Sequence, residues 1–398
     1  MAKNSVLKNV DAINKLNVRA EYSTTGNSRF SSNLSKYYYI NKVYRELSGL
    51  TRAGVPNTKI TPELSRTFNL GTDISVFNNR LDLTADVFRA NNSKLIMPVS
   101  ISAAYGTDYM YANAGEATNT GFEVGAQFAA IQQKDLKWYI GGTISSSKVK
   151  LTSLGGQANK IMNMADGSAV ISEIGQSMYS FYGLKVDPTQ PVFATTADAA
   201  KENLKTASGL AYQAGDVHFI DQNNDDIIDD RDRVNLGNAN PTLFGTFYTS
   251  VQYKNFELSA NFGYSVGNKM YNAVRRNLES MSDFGNQLVT ANNRWMSEGQ
   301  VTNMPRANYG DPLGNSQFSD RWIEDASFIK LKELTLSYNF KFMNGTTVYV
   351  AGENLFTVTK YLGLDPETMY SYDSSLKGFD YAKIPLARSF KIGFNVKL

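Results

Sequence analysis

The sequence has no cysteine and a single histidine among its 398 residues. Without thiols there is neither a disulfide framework nor a Cys/His set for zinc, and a chain free of Cys fits an exported protein that does without disulfides. His218 leaves a histidine-based hydrolase one candidate, and its place three residues before an acidic run reads as an ordinary surface or strand position. Charge of one sign is missing too: 40 basic and 37 acidic residues give a net charge of +3. That is no electrostatic footprint for nucleic acid, and nucleic-acid binding is excluded. No run reaches the roughly 18 consecutive apolar residues of a transmembrane helix, and the mean hydropathy is −0.33. A helical membrane protein is thereby excluded, whereas a β-barrel is not, because only alternate residues of its strands must be apolar. No Gly-rich phosphate loop follows a strand. Residues 1–20 lack the unbroken apolar core of a signal peptide, which leaves either a cytosolic chain or a true N-terminus upstream.

Tyrosine (23), phenylalanine (22) and glycine (30) are plentiful, and they favour pleated strands, turns and bulges over helices. Period-2 alternation recurs along the whole chain and comes in pairs. Leu16, Val18, Ala20 and Tyr22 alternate with Asn17, Arg19 and Glu21; Phe68, Leu70, Ile74 and Val76 alternate with Asn69, Asp73 and Ser75. Only Asn78-Asn79-Arg80 separates the latter from Leu81, Leu83, Ala85 and Val87, which reads as a tight hairpin. Further hairpins join Phe122–Phe128 to a strand over 138–148, and Phe247–Tyr253 to Phe256–Tyr264. Another joins Leu334–Phe340 to Val348 and Val350 through Asn344-Gly345, and an amphipathic strand from Ser389 to Leu398 closes the chain. The count is roughly ten strands with almost no helix. One short helix is expected over 269–280, with Met270, Val274 and Leu278 on one face.

Short turns alternate with long polar segments at about 23–65, 89–119, 151–241, 265–327 and 357–387. This asymmetry is the pattern of an outer-membrane barrel with short periplasmic turns and long extracellular loops, and it places the C-terminus on the periplasmic side. Aromatics at the short-turn ends (Phe77, Trp138, Tyr139, Tyr253, Phe256, Phe340, Phe342) suit a girdle at the headgroups. A soluble β-sandwich also alternates, but excursions of this length at one end are foreign to it. The fold class expected is all-β, an antiparallel transmembrane β-barrel with long extracellular loops.

The sharpest local signal is the run Asp221 to Asp232. Oxygen ligands Asp221, Asn223, Asp225, Asp229 and Asp232, with the Ile227 carbonyl, match the spacing by which an EF-hand loop wraps Ca²⁺. Ca²⁺ takes six to eight oxygens, and clustered carboxylates repel one another unless a divalent ion neutralises them. Two positions depart from the pattern: Asp226 stands where glycine makes the sharp turn, and Asp232 replaces the bidentate Glu. A metal-free acidic turn is the other reading. Carboxylate pairs such as Asp229-Asp230 show no placement as general acid and base in a defined pocket, and no enzyme is expected. Tyr105, Tyr109, Trp295, Trp322 and Tyr372 are candidates to stack on sugar rings or to pack on a partner.

Several segments together resemble the SusC/RagA family of TonB-linked outer-membrane transporters of Bacteroidetes. They are Phe77-Asn-Asn-Arg80 with Leu81-Asp-Leu-Thr-Ala-Asp86; Asn119-Thr-Gly-Phe-Glu123; Gly215-Asp216 leading into Asp221–Asp232; Gly237-Asn238 with Asn240-Pro241; Asp325-Ala-Ser-Phe-Ile-Lys-Leu-Lys332; Gly352-Glu-Asn-Leu-Phe356; and Gly363 to Glu367. The terminal strand, with Lys391, Gly393, Val396 and Leu398, resembles the signal read by the outer-membrane assembly machinery. The resemblance implies a 22-stranded plugged barrel of which residues 1–398 form the C-terminal ten or so strands, with signal peptide, TonB box and plug absent. It further implies a SusD-like surface lipoprotein as lid, drive by the TonB complex, and an oligosaccharide or peptide substrate imported across the outer membrane. A stand-alone ten-stranded porin or surface enzyme, and a soluble calcium-dependent adhesin, are the alternatives.

Overall fold

A computed structural model describes residues 13–36, 39–52, 54–105, 107, 109–340 and 345–396. The chain divides into two compact units: Met1–Ala130 with Gly141–Lys160 and Ser172–Met178, and Ile131–Ile140 with Ile161–Ile171 and Tyr179–Leu398.

The first unit carries β1 (Ile13–Asn27), β2 (Glu63–Val76), β3 (Leu81–Ser100), β4 (Tyr109–Gln132) and most of β5 (Leu136–Leu154). They pair in sequence order as an antiparallel meander. Register aligns like with like. Leu16, Ile74, Leu83 and Ala126 stand opposite one another in turn, as do Ala20, Leu70, Val87 and Phe122. This face is apolar yet uncovered, with Tyr22 68% exposed and Val18, Phe68, Leu70 and Val87 exposed beside it. The opposite face is polar. There Arg19 on β1 bridges Asp73 on β2 and, at 2.9 Å, Asp86 on β3, while the Asn17 amide donates to Asp73. Gly71 lies beneath this bridge, where a Cβ would collide with the Asp86 carboxylate.

The second unit repeats the pattern with β6 (Leu243–Tyr253), β7 (Phe256–Val266), β8 (Phe328–Phe340), β9 (Thr346–Thr359) and β10 (Ser389–Asn395). Val251, Leu258, Leu336, Val350 and Ile392 form one continuous row across five strands, and the neighbouring row on the other face is Ser250, Ser259, Thr335, Ala351 and Lys391. Ile392 is 83% exposed. Trp138, at the start of β5, belongs to this unit and donates its indole N–H to Thr249 on β6.

A bulge interrupts β8. Lys332 has no opposite residue on β7, and facing it on β9 stand two, Asn354 and Leu355. Asn354 takes a left-handed φ of +53°. An extra residue reverses the facing of everything beyond it. Leu334 and Leu336 therefore share the apolar face with Ile329, and Lys330 turns to the other side, where it is 2% exposed.

The two largest hydrophobic clusters sit in the excursions, and a smaller one, Ala117, Leu151 and Leu154, lies on β4 and β5. One cluster gathers Leu184, Phe193, Leu204, Tyr212, Val217, Phe219, Ile228 and Leu313; another gathers Val170, Phe181, Tyr271, Phe318, Trp322 and Phe379. Both lie in the second unit. Helix α1 (Thr196–Glu202) is set by a capping box between Thr195 and Asp198 and stops at Asn203, φ +54°.

Three expectations are corrected. The segment 89–119 is mostly strand, since β3 runs on to Ser100 and β4 begins at Tyr109. The excursion at 23–65 holds a hairpin, Tyr39–Tyr44 with Leu47–Arg52, and β1 extends to Asn27. Within 269–280, Lys269–Asn272 is a strand paired with Ile323–Asp325 and Phe379–Asp380, and only Ala273–Glu279 is helix (α2). The Asn272 side chain accepts from the Arg275 N–H and caps α2, so the helix cannot include Met270. Phe342, Asn344, Lys397 and Leu398 lie outside the described residues.

Candidate functional site

The acidic loop folds back on itself through its own carboxylates. Asp221 accepts from the N–H groups of Asn223, Asn224 and Asp226; Asn223 accepts from Asp225, and Asp225 from Ile227. Asp226, in the place of the turn glycine, takes the left-handed φ of +62° that such a wrap needs. Asp232 is fully buried; it accepts from the Gln222 and Asp229 N–H groups and closes the loop end to end. Ile227 pairs with Lys205 in a two-residue parallel bridge, which fixes the middle of the loop.

The six expected ligand residues are thus held in one loop, but their charge is already answered from within. The Arg231 guanidinium stands 2.7 Å from Asp225 and 2.8 Å from Asp229, whose carboxyl it holds below the usual range through a direct hydrogen bond. Asp230 pairs with Arg233. Asp232 spends both oxygens on backbone N–H groups. Among the described residues no group of three or more His, Cys, Asp or Glu side chains converges as a metal site. The donor types suit a hard cation, while the cation placed among them is Arg231.

Asp229, Asp230 and Arg231 also border a polar cleft of about 880 Å³, walled on its other sides by Thr206, Ser208, Asp311 and Gln317. Its floor is tied by Arg276, whose guanidinium donates to the Ser316 carbonyl, the Asp166 carbonyl and the Tyr271 hydroxyl. The cleft offers carboxylates, two guanidiniums, hydroxyls and an amide and no aromatic ring, so it suits hydrogen bonding to a polar ligand rather than stacking.

The Gly215-Asp216 pair is a structural hub. Gly215 (φ +86°) leaves room for the Trp295 ring, and the fully buried Asp216 accepts from Arg306 through two nitrogens, from the Asn315 amide and from the Gln213 N–H. A second hub joins two of the motifs near the start of β8. Lys330 donates to both oxygens of Asp365 and forms an ion pair with Glu367, Lys332 also reaches Glu367, and the Leu386 N–H donates to Asp365. Sequence reasoning missed both hubs, although the change of parity between Leu331 and Leu334 was a legible sign of the bulge that turns Lys330 inward.

Of the five aromatic candidates, Trp322 is excluded as a stacking surface. It is 1% exposed, donates to the Gln317 carbonyl and is flanked by the guanidiniums of Arg275 and Arg321. Trp295 is part-buried against Gly215 and donates to the Ala194 carbonyl. Tyr105, Tyr109 and Tyr372 are exposed, the last 98%. His218 stacks on Phe193 with ring centroids 4.3 Å apart. Of the aromatics expected at the turn ends, Phe77, Trp138, Tyr253 and Phe256 are exposed, and Phe256, Tyr338 and Phe340 form a chain of edge-on rings.

Strands with one bare apolar face and one polar face, joined by short turns and large structured excursions, define a membrane β-barrel class. The chain belongs to the family described as TonB dependent receptor-like, beta-barrel, whose sequence profile matches residues 6–355. It is 28% identical over 418 aligned residues to the TonB-dependent receptor P3 of Formosa agariphila, covering all of this chain and 41% of that protein. It is 24% identical to the TonB-dependent receptor SusC of Bacteroides thetaiotaomicron, covering 98% of this chain and 38% of that one. Among solved structures, the RagAB peptide transporter superposes with a TM-score of 0.78 at 24% identity, over 98% of this chain and 42% of the other. The chain thus spans about two-fifths of the length of these relatives. The relatives named here are receptors and transporters, not enzymes.

Proposed function

We propose that residues 13–396 supply the C-terminal strands of a TonB-dependent outer-membrane importer, with their polar faces toward a lumen and their excursions toward the cell exterior. The observation that supports this most is the bare apolar row Val251, Leu258, Leu336, Val350 and Ile392 on strands whose other face is polar. Water does not tolerate a contiguous apolar face of that extent, whereas lipid requires one. That β10 follows a long excursion supports a periplasmic C-terminus.

Import of a glycan or a peptide, energised by the TonB complex and covered by a SusD-like surface lipoprotein, is the activity this reading assigns. Apolar side chains bared on the excursions support a docked partner: Phe284, Val289 and Val301 in one, Leu364, Tyr372 and Ile384 in another. Fractionation of cells expressing the full-length gene tests the reading. The protein should stay in outer membranes through an alkaline carbonate wash; its release into the wash, or recovery as a soluble monomer, would favour the adhesin.

We further propose that Asp221, Asn223, Asp225, the Ile227 carbonyl, Asp229 and Asp232 take Ca²⁺ when Arg231 swings out from between Asp225 and Asp229. A bound ion would neutralise the loop and brace it beside the polar cleft. Calorimetric titration of CaCl₂ should give tighter binding to Arg231→Ala than to the native chain. Absence of binding to both would leave Arg231 as the permanent counterion.

A further inference from the structure

A second cavity, of about 460 Å³, opens in the second unit without an aromatic ring in its lining: Val186, Pro191 and Met304 give it an apolar side, and Arg321 lines it. Arg321 is the anomaly. Its Nε is buried without a hydrogen-bond partner, and its Nη2 points at the Met304 sulfur, 2.9 Å away. The guanidinium lies over the Trp322 ring at 4.9 Å. Burial pushes its pKa down to about 10. A guanidinium carries five N–H donors in a fixed fork, and a desolvated one without acceptors is costly.

Three carboxylates, Asp187, Glu279 and Asp320, line the cavity together with Arg275 and Arg321, and each has partners of its own: Asp187 accepts from the Thr189 hydroxyl and from the Thr189 and Gln190 N–H groups. Arg275 binds Glu279 at 3.1 Å and Glu324 at 2.6 Å and donates to the Arg321 carbonyl. The second oxygen of Glu279 accepts from Thr290, and that of Glu324 from the Leu362 N–H. Asp320, also in the lining, accepts from the Val186 N–H, and burial raises its pKa. Two asparagines, Asn293 and Asn303, stand exposed at the cavity wall with amides able to donate. Arg321, its Nε without an acceptor, therefore lines an open cavity beside an apolar wall and two amides.

We propose that this cavity binds a carboxylate, gripped by the Arg321 fork and assisted by Asn293 and Asn303, with the apolar body of the ligand against Val186, Pro191 and Met304. Planar two-point pairing is what a guanidinium offers a carboxylate and an ammonium does not. The volume suits a compact acid of dipeptide or sugar-acid size. Both sources present the same group, and binding here does not depend on whether the chain transports anything.

Calorimetry on the full chain in detergent tests this with four probes: N-acetyl-leucine, its amide N-acetyl-leucinamide, glucuronate and glucose. At least one acid should bind while its neutral counterpart does not. Arg321→Gln should weaken that acid about ten- to a hundredfold, the range expected for a charge-assisted hydrogen bond. Arg321→Lys, which keeps the charge and loses the fork, should fall between. Binding of glucuronate but not glucose assigns a sugar acid; binding of N-acetyl-leucine alone assigns an amino-acid or peptide carboxylate; either upholds the site. Equal binding of acid and amide, no binding of either acid, or an Arg321→Gln affinity equal to the native one overturns it. Should Arg321→Gln not fold, the acid-against-amide comparison on the native chain decides alone.

Discussion

Lys330 is a charged side chain at the mouth of a strand, buried almost completely and neutralised by Asp365 at 2.9 Å and by Glu367. Removing one member of a buried pair leaves an uncompensated charge and costs about 3–5 kcal/mol. Asp365→Ala should fall near the low end of about 3–5 kcal/mol, because Glu367 stays; urea unfolding in detergent measures it, and a loss within error of zero would mean the pair is not formed. Lys383 is the opposite case. It is buried, donates to the Thr368 carbonyl and the Met270 sulfur, and its amine is pushed down to about 8 by burial, against the partial support of Asp380 and Asp365. Below about pH 8 the folded chain bears the full cost of a buried ammonium. Between about 8 and its unfolded value near 10.5 the unfolded chain binds more protons, so this group makes stability rise with pH. Native chain and Lys383→Met should therefore differ in pH slope over that window, the native slope being the more positive; identical slopes would contradict the shift.

The segments that carry the family resemblance turn out to be turns, bulges and clamps. Phe77, Asn78 and Asn79 all take positive φ in the tight turn between β2 and β3. Gly352 to Phe356 is the β9 half of the bulge, and Asn354 also donates to the Ala387 carbonyl. Gly121 in β4 sits where a Cβ would overlap the Ser146 carbonyl oxygen of β5, whereas at Gly125, four residues on, the nearest atom would be 3.9 Å away. Gly121→Ala should sharply reduce the yield of folded, heat-modifiable protein on gel electrophoresis while Gly125→Ala folds; equal yields would show that β4 and β5 are not pressed together there. Strands were readable in the sequence wherever their two faces meet different surroundings, as along Leu334–Phe340. They were not readable in the outer parts of β3 and β4, where Asn91, Asn92 and Ser93 and then Tyr111 to Ala114 no longer alternate and both faces are part-buried. The wrap of Asp221–Asp232 was legible because its ligand spacing is local. Arg231 as its counterion was not, because the residue type alone does not say which way a side chain turns. Trp322 was misread for a related reason: the two arginines that enclose it come from α2 and from its own neighbour, and only packing brings them together.

Taken unit by unit, the molecule inverts the ordinary soluble plan: the sheets keep whole rows of apolar side chains bare, and the two largest buried cores are in the excursions. That distribution requires a solvent that is itself apolar along the strands and aqueous around the excursions. Because the chain has no cysteine, single cysteines can be placed without background. The decisive measurement is a spin-label scan from Ile329 to Phe340 in lipid vesicles, comparing collisions with oxygen, which partitions into lipid, and with a water-soluble nickel chelate. Oxygen contact should peak at residues 334, 336 and 338, nickel contact at 335 and 337, and the phase should reverse across Lys332 so that 329 joins the oxygen-rich set. Uniform nickel contact along the strand, or labels shielded from both reagents on every residue, would contradict a lipid-facing row.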